Sequence, residues 1–168
     1  GVGRMTQHLA HYFREVYGVD ISAGMIGLAK KYNKQGARCH YLVNGIPDLR
    51  IFADETFDFI YSTITLQHIA PEITRIYLQE FIRILKKDGL LVFQLPASPG
   101  LTVVGLIHRF LPKLFLNLYR RFTFGKIIDL YWMPKSEVVE LLTSSGARVI
   151  LAEMQPGNRD WVSFKYWV

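Results

Sequence analysis

Three groups of residues in this sequence have types and spacing that could do chemistry. They are the glycine pair of Gly1-Val2-Gly3, the aspartate of Val19-Asp20-Ile21-Ser22, and a histidine in Leu66-Gln67-His68. Glycines at a turn from strand into helix let backbone approach a ligand where a Cβ would collide. A carboxylate at the tip of the next strand can accept two hydroxyls of a ribose. Together they point to an adenosine-type cofactor at the carboxyl edge of a parallel sheet. The bland alternative makes the glycines an ordinary loop and Asp20 a surface turn residue. His68 falls after an apolar strand, on the side of a sheet where ligands bind, and imidazole exchanges a proton near neutral pH. Its plain role would be a hydrogen bond that stiffens the loop before Pro71.

The elements that must position these residues follow from periodicity. Met5, Leu9, Tyr12 and Phe13 recur at helical spacing, which predicts a helix from Arg4 to about Glu15 with one buried face. Glu15 to Asp20 reads as a short strand, and Ser22 as the N-cap of a helix carrying Met25, Ile26, Leu28, Ala29 and Tyr32. Ile21 and Met25 read as core residues in either case. Arg38 to Val43 reads as strand, ended by the turn pair Asn44-Gly45. The nearly continuous apolar run Phe57–Thr63 fits a strand covered on both faces. Asp58 at its start fits a capping role better than a catalytic one.

Pro71 opens a helix with Ile73, Ile76, Tyr77, Phe81, Ile84 and Leu85 on one stripe, expected to end at Lys86-Lys87 before Gly89. Leu90–Leu95 is a buried strand closed by Pro96; Pro134 to about Ser145 is a helix; Arg148–Glu153 is a strand. Trp161–Val168 alternates as an edge or antiparallel strand does. The pattern predicts an α/β domain: a doubly wound, mostly parallel sheet with an antiparallel edge strand, single across residues 1–168. The glycine turn needs a strand before Gly1, and that strand, absent from the chain, is expected at the centre of the sheet.

Glycine spacing narrows the cofactor. A dinucleotide fingerprint, G-x-G-x-x-G or a closing Ala, would put Thr6 at its sixth position, where a bulky β-branched residue is unsuited. Reading Gly1 and Gly3 as the last glycines of an acidic-x-G-x-G-x-G loop leaves Arg4 free to begin the helix. A nicotinamide-dependent oxidoreductase is thereby disfavoured.

Four segments, GVGRMTQHLA, YGVDISAGMIGLAK, TFDFIYSTITLQHI and EFIRILKKDGLLVFQLP, occur in this order and spacing. On them the chain resembles the class I S-adenosylmethionine-dependent methyltransferases of type 11, from Gly1 to about Pro96 and more weakly over 134–153. Asp88 stands where that family often has proline or another small turn residue. The resemblance implies a Rossmann-like methyltransferase sheet and S-adenosyl-L-methionine as cofactor. It would place Gly1 and Gly3 under the methionine part, Asp20 on the ribose hydroxyls, and Ile21 and Met25 near the adenine. Asn44-Gly45-Ile46 occupies the place where many members carry an acidic residue that reads the adenine amino group, with Asp48 a further candidate. Ser62, Thr63 and Gln67 would hold the methionine end, and His68 is the candidate general base.

Residues 97–133 interrupt the alternation as a helical insert after the strand Leu90–Leu95, the fifth when the absent first strand is counted. The insert carries Arg109, Lys113, Arg120, Arg121 and Lys126 among Phe110, Phe115, Tyr119, Phe122 and Trp132. Three readings stand: a lid meeting an anionic or apolar small-molecule acceptor, an amphipathic patch in peripheral contact with a membrane and suited to a lipid-like acceptor, or a solvated helical excursion. The enzyme reading is methyl transfer to an oxygen, nitrogen or carbon of a small molecule. The rival is a non-catalytic binding module on the same fold.

Composition bounds both. At 168 residues, half of them hydrophobic, one substantial core can form. The lone Cys39 excludes an intramolecular disulfide and a thiolate-rich zinc site, and fits a cytoplasmic location. No His, Cys or carboxylate cluster has metal-ligand spacing. The net charge of +6 is moderate, and no motif for nucleic-acid recognition accompanies it.

Overall fold

A computed structural model describes residues 1–102, 130–156 and 160–168. They fall into two units, Gly1–Leu49 and Arg50–Val168.

In the first unit, α1 spans Arg4–Leu9, β1 Val16–Asp20, α2 Ala23–Lys31 and β2 Cys39–Val43, with a 3₁₀ turn at Gly36–Arg38. β1 and β2 pair in parallel, from Val16 opposite Cys39 to Asp20 opposite Val43. Parallel neighbours need a crossover, and α2 supplies it. Ser22 caps α2, its hydroxyl accepting the Met25 N–H at 3.3 Å. Ala10, Ile26, Ala29, Cys39 and Tyr41 form the core, with Val16 against it. α1 is shorter than the periodicity predicts. The N–H groups of His11 and Tyr12 bond to His8 and Leu9, three residues back, so the helix tightens and ends. No residue of the helix itself is buried; its C-cap Ala10 is, while Met5 and Tyr12 are exposed. Ile21 and Met25 are likewise not core residues: they are 76% and 43% exposed. Their period fits α2, but the buried stripe of that helix is Ile26 and Ala29.

In the second unit, β3 is Phe57–Ser62, α3 Pro71–Ile84, β4 Leu85–Pro99, α4 Lys135–Ser144, β5 Leu151–Met154 and β6 Trp161–Trp167. The strand order is β3-β4-β6-β5. β3 and β4 are parallel; β6 runs antiparallel to both β4 and β5. The antiparallel strand therefore lies one position inside the edge, and β5 is the edge.

Two boundaries differ from the pattern-based expectation. α3 stops at Ile84 because Leu85 is already extended and pairs with Phe57. Lys86 and Lys87 thus belong to β4, and the left-handed residue beyond them is Asp88, with φ +63°. β4 also continues through Pro96, which the sheet accommodates at a register shift between Pro96 and Ser98. The buried stripe of α3 is Thr74, Leu78, Phe81 and Ile84. Ile73 and Ile76 face outward, because the Thr74 hydroxyl finds the Ile69 carbonyl at 3.1 Å and turns inward with it. The core gathers Leu66, Leu78, Leu91, Phe93, Leu95, Met133, Val138 and Leu142. Phe93 stacks on Tyr166 across the β4–β6 ladder, with ring centres 4.8 Å apart. Asp58 is paired with Lys86 at 2.9 Å, an exposed ion pair between β3 and β4 in place of the expected cap. The basic insert residues Arg109, Lys113, Arg120, Arg121 and Lys126 lie outside the described residues. Among the described residues no helix is long and apolar enough to cross a membrane.

Candidate functional site

The first unit brings the glycine turn, Asp20 and Asn44 together at the carboxyl ends of its two parallel strands. Asp20 ends β1 with its side chain partly buried. Its Oδ1 accepts the Ser22 N–H at 2.8 Å, and its Oδ2 is bonded by the amino group of Gly1. Partial burial works to raise this carboxyl. The hydrogen bonds from the Gly1 nitrogen and the Ser22 N–H outweigh it and hold Asp20 below the usual carboxylate range. The Asp20 carbonyl also accepts the Asn44 N–H at 3.1 Å, tying the two strand tips.

Gly3 has φ +78° and stands at the N-cap of α1. A Cβ there would lie 2.7 Å from the Tyr41 hydroxyl and 2.8 Å from its ring carbon. Tyr41, on β2, thus sits directly beneath the turn. Gly18 makes room for the same packing, since a Cβ on it would meet Thr6 Oγ1 at 2.7 Å and the Tyr41 ring at 3.1 Å. Burial, reinforced by the neighbouring Cys39, pushes the Tyr41 phenol up to about 12.

Asn44 is buried, and its amide organises its own loop: Nδ2 donates to the carbonyls of Ile46 at 3.1 Å and Asp48 at 2.6 Å. Both amide hydrogens are thereby taken, so only Oδ1 is left to receive an exocyclic amino group. Gly45 and Ile46 lie exposed. Ile21 and Met25 follow Asp20 in the chain and Ile46 follows Asn44, and all three apolar side chains are exposed. A carboxylate for a diol, flanked by apolar cover for a flat base, fits an adenosine moiety.

The second unit carries the other candidates in one loop after β3. Ser62 and Thr63 are half-buried, Ile64 takes φ +60°, and a 3₁₀ turn spans Leu66–His68. A β-branched residue in the left-handed region is a real outlier, of a kind that gathers at functional sites. The Ile64 N–H is held by Gln94 Oε1 at 3.3 Å. His68 is exposed, and its Nε2 lies 3.2 Å from Gln67 Nε2. An amide nitrogen can only donate, so with the Gln67 amide in this orientation the ring nitrogen accepts. The lone pair that a base would use is therefore engaged by Gln67. The Gln67 carbonyl in turn accepts the Tyr131 N–H at 2.8 Å.

Three participants escaped the sequence reading. Tyr41 was hidden as one apolar residue of a strand, and Ile64 gives no sequence sign of its backbone. Gln94 did leave a signal: it is the one amide in the apolar run Leu90-Leu91-Val92-Phe93-Gln94-Leu95. Such a polar residue must find partners, and its Nε2 donates to Ser163 Oγ at 2.9 Å. Among the described residues no group of His, Cys, Asp and Glu could hold a metal ion.

Residues 1–93 match the family described as methyltransferase domain, type 11. No curated protein matches the chain. Among solved structures, the PH0226 protein of Pyrococcus horikoshii OT3 is 24% identical with a TM-score of 0.71, covering 99% of this chain and 76% of its own. An S-adenosylmethionine-dependent methyltransferase from Mesorhizobium loti is 15% identical with a TM-score of 0.72, covering 99% and 86%. Magnesium protoporphyrin IX methyltransferase from Synechocystis PCC 6803, with bound SAH, is 19% identical with a TM-score of 0.66, covering 99% and 69%. These likenesses carry the fold, a mixed α/β Rossmann-like sheet. More than half of the sequence lies within the family match, and the chain belongs to the methyltransferase domain family of S-adenosylmethionine-dependent enzymes.

Proposed function

We propose that the chain transfers a methyl group from S-adenosyl-L-methionine to a small-molecule acceptor, with the first unit binding the adenosine part. The observation that supports this most is the meeting of the glycine turn, Asp20 and Asn44 at the carboxyl ends of β1 and β2, where the Asp20 carbonyl accepts the Asn44 N–H. Asp20 accepts the two ribose hydroxyls, Ile21, Met25 and Ile46 cover the adenine, and Asn44 shapes the loop that presents Gly45 and Ile46. Gly1 and Gly3 keep the turn free of side chains where the methionine part passes.

When bound, S-adenosylmethionine supplies a sulfonium-activated methyl: the S–CH₃ bond breaks as the acceptor–CH₃ bond forms, leaving a neutral thioether. Because the donor is already activated, alignment and exclusion of water are the main tasks left to the protein. Ser62, Thr63 and Gln67 act on the methionine end. For an acceptor that must lose a proton, His68 Nε2 takes it after Gln67 releases that lone pair. A cytoplasmic location is part of this reading, supported by the single cysteine of the sequence.

The test is calorimetry of S-adenosylmethionine against the wild type and Asp20→Ala. A loss of at least tenfold in affinity is expected, with the fold retained as a cooperative melt at a modestly lower temperature. Equal affinity in the variant would overturn the ribose assignment, and absence of binding to the wild type would favour a non-catalytic module.

A further inference from the structure

Among the described residues of the second unit, Glu55, Ile64 and Asp88 are the non-glycine residues with positive φ. Only Ile64 is β-branched, and such side chains tolerate the left-handed region least. Its side chain is 64% exposed, so burial of the isoleucine does not offset the cost to the backbone. A contact from β4 does: Gln94 Oε1 accepts the Ile64 N–H at 3.3 Å. We infer that Gln94 is a positioning residue, which through Ile64 holds the loop 62–68 in the form that presents Thr63 and Gln67 to the methionine end of the cofactor. The inference rests on the methyl-transfer reading above.

The orientation of the amide is fixed by its partners. A backbone N–H only donates, so Gln94 must turn its oxygen to Ile64. Its nitrogen then faces β6, where it donates to Ser163 Oγ at 2.9 Å. Gln94 stands opposite Lys165 in the ladder, which makes Ser163 its diagonal neighbour, within reach of a long side chain. Ser163 is buried, and its carbonyl accepts the Gln155 N–H at 2.8 Å. One end of the amide is thus held by the sheet, and the other holds the loop. A leucine or methionine would suit the apolar run around Gln94 equally well, but neither could accept from Ile64.

Beyond Ile64 the loop is pinned again, by the burial of Leu66 in the core and by the Gln67 carbonyl, which accepts the Tyr131 N–H at 2.8 Å. These later pins do not set the backbone of Ile64 itself. Without Gln94, Ile64 is free to return to the right-handed or extended region that its side chain prefers. The chain between Thr63 and Leu66 then changes course while the strands on either side keep theirs.

Amide hydrogen exchange of the full chain, followed by NMR, reads this clamp directly. In Gln94→Met, exchange at Ile64 is expected to rise about tenfold, as for one lost hydrogen bond. Leu91, whose N–H is held within the sheet by the Val168 carbonyl at 3.0 Å, should keep its rate. Affinity for S-adenosylmethionine, measured by calorimetry, should fall by about fivefold in the same variant. Gln94→Glu should restore both, since its carboxylate accepts from Ile64 and the Ser163 hydroxyl rotates to donate. Ser163→Ala is the second variant: with the amide held at one end only, exchange at Ile64 should rise about threefold. It carries the test if Gln94→Met melts without cooperativity. Unchanged exchange at Ile64 in a folded Gln94→Met, or in Ser163→Ala where Gln94→Met does not fold, overturns the assignment. An equal rise at Ile64 and Leu91 overturns it too, as the mark of general loosening, and so does raised Ile64 exchange with unchanged cofactor affinity. A wild type that binds no S-adenosylmethionine, while Ile64 exchange still rises in Gln94→Met, upholds the clamp and refutes the reading beneath it.

Discussion

The Cα hydrogen of Gly3 points at the ring of Tyr41 so closely that a methyl group in its place would lie 2.7 Å from the phenol oxygen. This contact makes the shape of the turn a property of β2 as much as of its own glycines. Gly3→Ala suffers twice, once from the left-handed backbone, at about 1–2 kcal/mol, and once from collision with the ring. In a Tyr41→Ala background the second cost disappears. A double-mutant cycle read by thermal and urea melts should return a coupling of about 1 kcal/mol or more. Additive costs would show that the ring and the turn are independent.

The lowered titration of Asp20 fixes a pH dependence. Its depressed carboxyl stays charged in the folded chain below the point, about 3.9, at which an unfolded aspartate takes up its proton. Stability from this group is therefore complete above that value and is lost as pH falls through the lower folded value. Affinity for S-adenosylmethionine should be flat from about pH 8 to 5 and should decline only below the ordinary carboxylate range. A decline centred near pH 6.5, the histidine range, would assign the controlling proton elsewhere.

His68→Gln separates binding from proton transfer. With an acceptor that must lose a proton, kcat is expected to fall by about 10²-fold, within the span of general-base effects. The alkaline plateau of the pH profile should disappear, while cofactor affinity moves less than twofold. An unchanged pH profile would leave His68 as the loop-stiffening partner of Gln67.

Tyr166 is a fully buried phenol with no hydrogen-bond partner for its hydroxyl among the described residues, and burial pushes its titration up to about 12. An unmet buried hydroxyl carries a desolvation cost of about 1–3 kcal/mol. Tyr166→Phe keeps the stack on Phe93 and removes that cost, so its melting temperature should stay level or rise. A fall of several degrees would show that the hydroxyl is bonded after all.

Arg83 ties α3 to the segment before β3. Its guanidinium donates to Glu80 twice at 2.8 Å, to Asp54 at 2.6 Å and to the Phe52 carbonyl at 3.1 Å. Lysine keeps the charge but cannot serve these directions at once. Arg83→Lys should cost about 1–2 kcal/mol in urea denaturation, and a neutral result would reduce the fork to a surface ion pair.

Much of this was readable in residue order. Alternating strand and helix patterns located the β strands to within a few residues, and Ser22, Pro71 and the glycine turn marked helix starts because caps act through neighbours along the chain. What was not readable depended on partners far away. Leu85 is captured by Phe57 across the sheet, which ends α3 ahead of its lysines. Thr74 turns inward toward a carbonyl, rotating the buried stripe away from Ile73 and Ile76. Ile21 and Met25 have core chemistry but lie in the open, and periodicity cannot tell an apolar residue left exposed from one meant for the interior. Tyr41 and Gln94 act through space on a turn and a loop that precede them by dozens of positions.

Asp20, Asn44 and the glycines stand in Gly1–Leu49, whereas Ser62, Thr63, Gln67 and His68 stand in Arg50–Val168. On the proposed reading, substitutions in the second unit change which molecule receives the methyl while the residues assigned to the nucleoside stay as they are, and descendants of this gene diverge in taste while inheriting one donor.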